Sequence, residues 1–127
     1  MNFVNVVVGR NSSIVMEHKV EVVYISGPMT GYPNFNREAF VKAEMNLIGK
    51  GKEVVSPSLL EQDDEGMLWK PLQGRWEHYL KIALSKMLLC NAIVMLPGWE
   101  QSKGAKLERY IAEVLGYKIY ENVEDVK

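Results

Sequence analysis

The chain has 127 residues, of which 47% are hydrophobic and 24% charged, which fits one domain with one hydrophobic core. Fifteen basic and sixteen acidic side chains give a net charge of -1, so no strong field is present to bind a nucleic-acid backbone or an anionic membrane. No secretory leader and no apolar run of about 18 residues is visible. A cytoplasmic protein is predicted, with Cys90 as a small buried hydrophobe.

The first half of the chain alternates strand and helix patterns. Residues 1–18 read as an N-terminal appendage, possessing a short strand or hairpin, and residues 19–127 as the domain proper. A buried strand is predicted for residues 20–25, ending in the turn Ser26-Gly27-Pro28. Helical spacing predicts a helix over 36–49, capped by Asn34 or Asn36, and a short strand over 52–57 follows.

The second half repeats this alternation after a loop. Residues 61–75 are predicted to form a surface loop that covers a site. A helix is predicted for 76–89, a buried strand for 92–96, a helix for 105–115 and a strand for 117–120, with a fraying tail. Strands that alternate with helices demand parallel pairing. The predicted fold is α/β: a single-domain, Rossmann-like (flavodoxin-like) three-layer fold, with a parallel sheet of four to five strands and helices on both faces.

Ligands of such sheets bind beyond the carboxyl ends of the strands. Three loops leave strand ends here, at residues 26–31, 56–58 and 97–104, and the first and last contain glycines that let a ligand approach the backbone. The last loop also runs into a helix start, which favours an anion. Glu108, near that start, is either a carboxylate facing the cleft or one that complements the helix dipole.

Two aromatic residues near these loops have open interpretations. Tyr24 either reaches the cleft with its phenol or is a core aromatic of its strand. Trp99 either stacks on a base or closes its loop. His18 and His78 have no partner at metal-ligand spacing, so neither a metal nor another cofactor is predicted.

Two long motifs resemble a known group of proteins. They are Tyr24-Ile25-Ser26-Gly27-Pro28-Met29-Thr30-Gly31, and Cys90-Asn91-Ala92-Ile93-Val94-Met95-Leu96-Pro97-Gly98-Trp99-Glu100 followed by Ser102, Gly104-Ala105 and Glu108. With Trp76 and Tyr79-Leu80 they resemble a family of small, often phage- or prophage-encoded proteins of unassigned function in the nucleoside 2-deoxyribosyltransferase superfamily. The resemblance covers residues 21–120.

This resemblance implies a catalytic carboxylate. Glu108 matches the glutamate that attacks C1′ of a nucleoside or nucleotide, and Tyr24 matches the tyrosine that orients it. The expected substrate-binding residues follow the first and third strands: Ser26, Gly27, Pro28, Met29, Gly98, Trp99, Ser102 and Gly104. Serine at position 102, where free-nucleoside transferases tend to carry aspartate, favours a 5′-phosphate, with Lys103 beside it.

Two positions depart from the superfamily pattern. Ala83 stands where an aspartate usually protonates or binds the leaving base, and losing such an acid costs roughly 10²–10⁴-fold in rate. Asn91 replaces an aspartate before the third strand. Other acids that the sequence offers are Asp63, Asp64, Glu77 and His78.

The resulting predictions are ranked. The first is an N-glycosidase or 2-deoxyribosyltransferase-like enzyme that acts on a small-molecule nucleoside or nucleotide. The second is a non-catalytic nucleotide binder that has lost the acid at Ala83, and the third is an assembly protein. The resemblance also implies a homodimer or larger homo-oligomer.

Overall fold

A computed structural model describes residues 20–57 and 76–127, and within these ranges only the backbone of Trp76, His78 and Tyr79. Four strands form one sheet: β1 (Val22–Ser26), β2 (Glu53–Val55), β3 (Ala92–Met95) and β4 (Lys118–Tyr120). Their order is β2-β1-β3-β4 and every pairing is parallel. Strands β1 and β3 are buried along almost their whole length, as their apolar sequences predict.

Three helices lie within the described ranges: α1 (Arg37–Gly49), α2 (Trp76–Met87) and α3 (Lys103–Val114). Short 3-10 turns occur at Pro33–Asn36, Trp99–Gln101 and Val123–Asp125. The α3 helix begins two residues before the predicted start. The reason is an N-cap, since Ser102 Oγ accepts a hydrogen bond from the Ala105 amide at 3.1 Å.

The helices cover both faces of the sheet. Because side chains alternate along a strand, Val23 and Ile25 of β1 join one core cluster, and Tyr24 joins the other. The first cluster contains Phe40, Ala43 and Leu47 of α1. The second contains Met87 of α2 together with Ala105 and Ala112 of α3. The predicted single-domain α/β three-layer fold with a parallel sheet is therefore confirmed, with four strands in the part of the chain that the structure describes.

Asn91 stabilises the amino-terminal edge of the sheet. Its Oδ1 accepts from the Val22 amide at 2.8 Å, and its Nδ2 donates to the Val20 carbonyl at 3.1 Å. An aspartate would supply the acceptor and lack the donor at neutral pH. Position 91 thus lies at the start of β3, at the edge of the sheet opposite to the carboxyl ends of the strands.

The tail after β4 does not fray, contrary to the prediction. Val126 is buried in the core cluster on the α1 side, and Lys50 Nζ donates to the carbonyls of Val126 at 2.7 Å and Val123 at 3.2 Å. Burial of an apolar side chain and capture of two backbone carbonyls tie the tail to the end of α1.

The cap predicted for α1 is also different. Asn36 occupies the N-cap position but makes no side-chain cap bond, and its Nδ2 donates instead to the Pro28 carbonyl at 2.9 Å. The appendage at 1–18 and the loop at 61–75, with Asp63 and Asp64, lie outside the described residues. No helix in the described ranges is long and apolar enough to cross a bilayer.

Candidate functional site

The candidate site lies where the carboxyl end of β1 meets α3. Tyr24 and Ser26 are two residues apart on β1, so their side chains leave the same face of the sheet. That face is the one on which α3 packs. Glu108 is the sixth residue of α3 (Lys103–Val114) and is buried, with 6% of its surface exposed. A glutamate that merely complements the helix dipole lies in the first turn of a helix. Glu108 lies in the second turn of α3.

Two hydroxyls of β1 bind the Glu108 carboxyl group. Tyr24 Oη donates to Oε2 at 3.0 Å, and Ser26 Oγ donates to Oε1 at 2.5 Å. Both donors are fully buried, whereas Glu108 keeps a small exposed fraction. The three side chains form a polar cluster, hereafter the carboxylate cluster, inside an otherwise apolar layer.

Burial raises the pKa of Glu108 from 4.5 to about 7, and the hydrogen bonds from Ser26 and Tyr24 oppose this rise. No basic side chain of the described residues forms an ion pair with Glu108. The carboxyl group therefore exchanges its proton near neutral pH, and among the described side chains the Ser26 and Tyr24 hydroxyls are the groups that stabilise its ionised form.

The two loops that contain glycines, residues 26–31 and 97–104, meet at the carboxyl ends of β1 and β3. The Leu96 amide donates to the Ser26 carbonyl at 2.9 Å. A Cβ at Gly27 would lie 2.8 Å from Leu96 Cβ, so only glycine allows this approach. Gly98, with φ of +91°, lies so close to Tyr32 and Pro28 that a Cβ would be 2.7 Å from Tyr32 Oη and 3.2 Å from Pro28 Cγ.

The loop after β1 ends in an unusual left-handed turn. Asn34, Phe35 and Asn36 have φ values of 53°, 53° and 65°. Asparagine adopts the left-handed backbone region readily, whereas the same conformation at Phe35 costs roughly 1–2 kcal/mol of conformational free energy. The bond from Asn36 to the Pro28 carbonyl closes the loop on itself. The loop geometry is thereby specified by hydrogen bonding and by the glycine contacts.

Trp99 is held by its own loop and by α3. The guanidinium Cζ of Arg109 lies 4.8 Å from the centre of the Trp99 ring, and the ring packs against the core cluster that contains Tyr24. Arg109 also pairs with Glu113 at 3.1 Å and with Glu121. This geometry favours the interpretation in which Trp99 closes its loop, because Arg109 covers one face of the ring.

The predicted phosphate-binding residues lie at the start of α3. Ser102 caps the helix, and Gly104 is in its first turn. A hydroxyl that accepts one hydrogen bond still carries a proton to donate. Lys103, the first residue of α3, is exposed. The helix dipole and the first-turn amides make this end electropositive.

The structure does not bring every predicted residue to the carboxylate cluster. Met29 packs against the core cluster on the α1 side of the sheet, away from the face that carries Glu108. Ala83 is fully buried in α2, and Glu77 is exposed at the start of the same helix. Pro28 and Gly98 form the contact between the two loops described above.

Ser26, which the resemblance predicts to line the ligand site, donates to Glu108, and its period-two alternation with Tyr24 indicates that contact. Tyr32 and Arg109 also contribute to the loop contacts, and no local sequence pattern identifies either contribution. In the described ranges, no three His, Cys, Asp or Glu side chains lie close enough to hold a metal ion.

The fold and the site define a class of protein: a parallel α/β domain with a buried, hydroxyl-bound carboxyl group beside the carboxyl end of a central strand. Residues 21–121 match the model of a domain family of unknown function, DUF4406. This match spans most of the chain, and the protein belongs to that family. No curated protein matches the chain.

Proposed function

We propose that the protein cleaves the bond between base and sugar of a nucleoside or nucleotide, as a nucleoside 2-deoxyribosyltransferase-like N-glycosidase or transferase. The observation that carries this proposal is the Glu108 carboxyl group, buried and held on both oxygens by Tyr24 and Ser26. A carboxylate fixed in this way is suited to attack at a sugar carbon. The superfamily resemblance supplies the substrate class.

In the first step, an oxygen of ionised Glu108 bonds to C1′ while the glycosidic bond breaks. The electron pair of that bond goes to the base nitrogen, and the base takes up a proton from solvent. Negative charge beside C1′ stabilises the oxocarbenium-like transition state. The product is a glycosyl ester of Glu108.

In the second step, water attacks C1′, the ester bond breaks, and Glu108 is released as a carboxylate with loss of one proton to solvent. A transferase reaction replaces this water by the nitrogen of a second base, which loses its proton on attack. Tyr24 and Ser26 donate to the carboxylate both before the first step and after the second.

A 5′-monophosphate is the proposed form of the substrate. The support is a serine at the N-cap of α3, together with the electropositive helix end and an adjacent lysine. An aspartate at position 102 would repel a phosphate, whereas a serine donates to it. The proposed partner is therefore a small anionic nucleotide, and a homo-oligomer remains a prediction.

The direct test is base release from a panel of nucleosides and their 5′-monophosphates. Glu108→Gln keeps the size of the side chain and removes the nucleophile, so we expect a loss of at least about 10³-fold. Because the nucleophile must be ionised, kcat/KM should rise with pH through about 7 in the wild type. Glu38→Gln, at an exposed glutamate in the first turn of α1, is the matched control and should keep full activity.

The proposal fails if the wild type releases base from no substrate, or if Glu108→Gln releases base at the wild-type rate. Either result removes Glu108 as a nucleophile.

A second candidate function, a non-catalytic nucleotide binder, is favoured by Ala83. This fully buried methyl side chain has no proton to give to a leaving base. Calorimetry that detects binding of a monophosphate without turnover would favour the binder. Turnover by the wild type would exclude it.

A further inference from the structure

The Ser26 hydroxyl makes the shortest contact to the Glu108 carboxyl group. Its distance to Oε1 is 2.5 Å, against 3.0 Å for the bond from Tyr24 to Oε2. Hydrogen bonds from a hydroxyl to a carboxylate are about 2.5–2.7 Å long and roughly twice as strong as neutral ones. The Ser26 contact therefore has the geometry of a charge-assisted bond.

Two bonds on different oxygens fix the carboxyl group where one would not. The terminal torsion of a glutamate side chain is broad and roughly two-fold, so a carboxyl group held by a single oxygen can still turn. Tyr24 and Ser26 hold Oε2 and Oε1 separately. The plane of the carboxyl group is then set by β1.

Ser26 is itself held rigidly. It is the last residue of β1, is paired with Met95 of β3, and its carbonyl accepts from the Leu96 amide at 2.9 Å. Its side chain has one rotatable carbon bond before the hydroxyl, so little freedom remains. Its neighbour Gly27 packs against Leu96. The donor is therefore held by a backbone that is hydrogen-bonded within the sheet.

A direct contact with a ligand does not fit Ser26. The residue is fully buried, and its single hydroxyl proton is directed to Glu108. The nearest basic residue along the chain, Arg109, is paired with Glu113 and Glu121. Among the described groups, the two β1 hydroxyls are the donors that favour the ionised form of Glu108.

We propose that Ser26 is a positioning residue, whose hydroxyl holds Oε1 and fixes the Glu108 carboxyl group in a single orientation for attack. The inference rests on the proposed function for its use in catalysis. The hydrogen bond from Ser26 to Glu108 is a property of the free protein, so it is measured without turnover.

The test compares Ser26→Ala and Tyr24→Phe, with Ser85→Ala as the matched control. Ser85 is an exposed serine of α2 whose hydroxyl donates to the Ile82 carbonyl at 2.7 Å. The carboxyl resonance of Glu108 is followed by carbon NMR during a pH titration, with Glu108→Gln identifying the signal. We expect Ser26→Ala to raise the pKa of Glu108 by about one pH unit or more, and by more than Tyr24→Phe does. Ser85→Ala should leave it unchanged.

The kinetic readout separates positioning from ligand binding. For base release, Ser26→Ala should lower kcat about 10–100-fold with KM nearly unchanged, since a hydrogen bond to a charged group is lost. The pH at half-maximal rate should move upward with the titration. An unchanged Glu108 titration in Ser26→Ala overturns the inference, as does a rise in KM with kcat unchanged.

The two proposals fail in different ways. A shifted Glu108 pKa in Ser26→Ala, with no base release by the wild type, overturns the proposed function and supports the hydrogen bond by which Ser26 holds Glu108. Base release by the wild type with an unshifted titration supports the proposed function and overturns the inference. Thermal unfolding of each variant verifies that the protein is folded.

Discussion

Tyr24 Oη donates to Glu108 Oε2 at 3.0 Å, across 84 positions of sequence. The pair joins β1 to α3, so a buried carboxyl group is held by a residue of an interior strand of the sheet. Burial of such a group is costly when it is charged. The pKa of about 7 for Glu108 expresses that cost, and it has consequences for stability as well as for chemistry.

Stability should fall as pH rises through the range in which Glu108 loses its proton. The folded-state pKa is about 7 and the ordinary value is 4.5, so between these limits the folded protein binds more protons than the unfolded chain. The free energy of unfolding therefore decreases with pH, by as much as about 3 kcal/mol for this group. Urea unfolding at pH 5, 6, 7 and 8 measures it.

Glu108→Gln provides the reference for that measurement because glutamine does not titrate. The wild type should lose stability relative to Glu108→Gln between pH 5 and 8, whereas all other titrating groups are shared by the two proteins. Two curves that run parallel across this range would contradict the raised pKa.

The charge at position 102 should decide between monophosphates and free nucleosides. Ser102→Asp keeps the N-cap, since aspartate accepts from the Ala105 amide as serine does. The added charge should raise KM for monophosphates by about tenfold or more, the equivalent of roughly 1.4 kcal/mol of repulsion, with a small effect on nucleosides. Steady-state kinetics on matched pairs of substrates measures the ratio.

Ser102→Ala is the control for the cap itself. It removes the cap at a cost of about 1 kcal/mol in stability and adds no charge, so it should alter substrate preference less than Ser102→Asp. An unchanged preference in Ser102→Asp would argue against a phosphate at the start of α3.

Gly27 should tolerate no side chain. A Cβ there lies 2.8 Å from Leu96 Cβ, and overpacking of this kind costs typically about 1–3 kcal/mol. Gly27→Ala is therefore expected to lower the free energy of unfolding by that amount. Chemical denaturation followed by circular dichroism measures the change.

Gly49→Ala is the matched control for this substitution. Gly49 is the last residue of α1, and a Cβ there has nothing within 4 Å. Alanine at such a helical position should be neutral or stabilise by up to about 1 kcal/mol. Equal effects of the two substitutions would show that the approach of Gly27 to Leu96 is not tight.

Several features were accessible from sequence because they depend on local periodicity. The apolar runs of β1 and β3, and the helical spacing in α1 and α3, predict a parallel α/β layer structure. The contact between Glu108 and Tyr24 is what the family resemblance implies, and it is present in the structure. The boundaries shifted by a few residues where a cap decided them, as Ser102 does for α3.

Other features depended on contacts between distant segments. Val126 is buried in the core cluster on the α1 side, and Lys50 binds two carbonyls of the same tail. Asn91 binds the backbone of Val20 and Val22, about 70 positions earlier. Neither interaction has a local signature. Arg109 likewise covers Trp99 only because α3 packs beside the loop after β3.

The sequence by itself determined the order of strands and helices, the parallel sheet and the identity of the candidate carboxylate, because these follow from periodicity, turn residues and motif. Only the tertiary structure decided that Glu108 is buried, that Ser26 binds it, and that its pKa is raised to about 7. The physical reason is that burial and hydrogen bonding depend on which residues the fold brings together. Ser26 and Glu108, which the fold brings together, are 82 positions apart in the sequence.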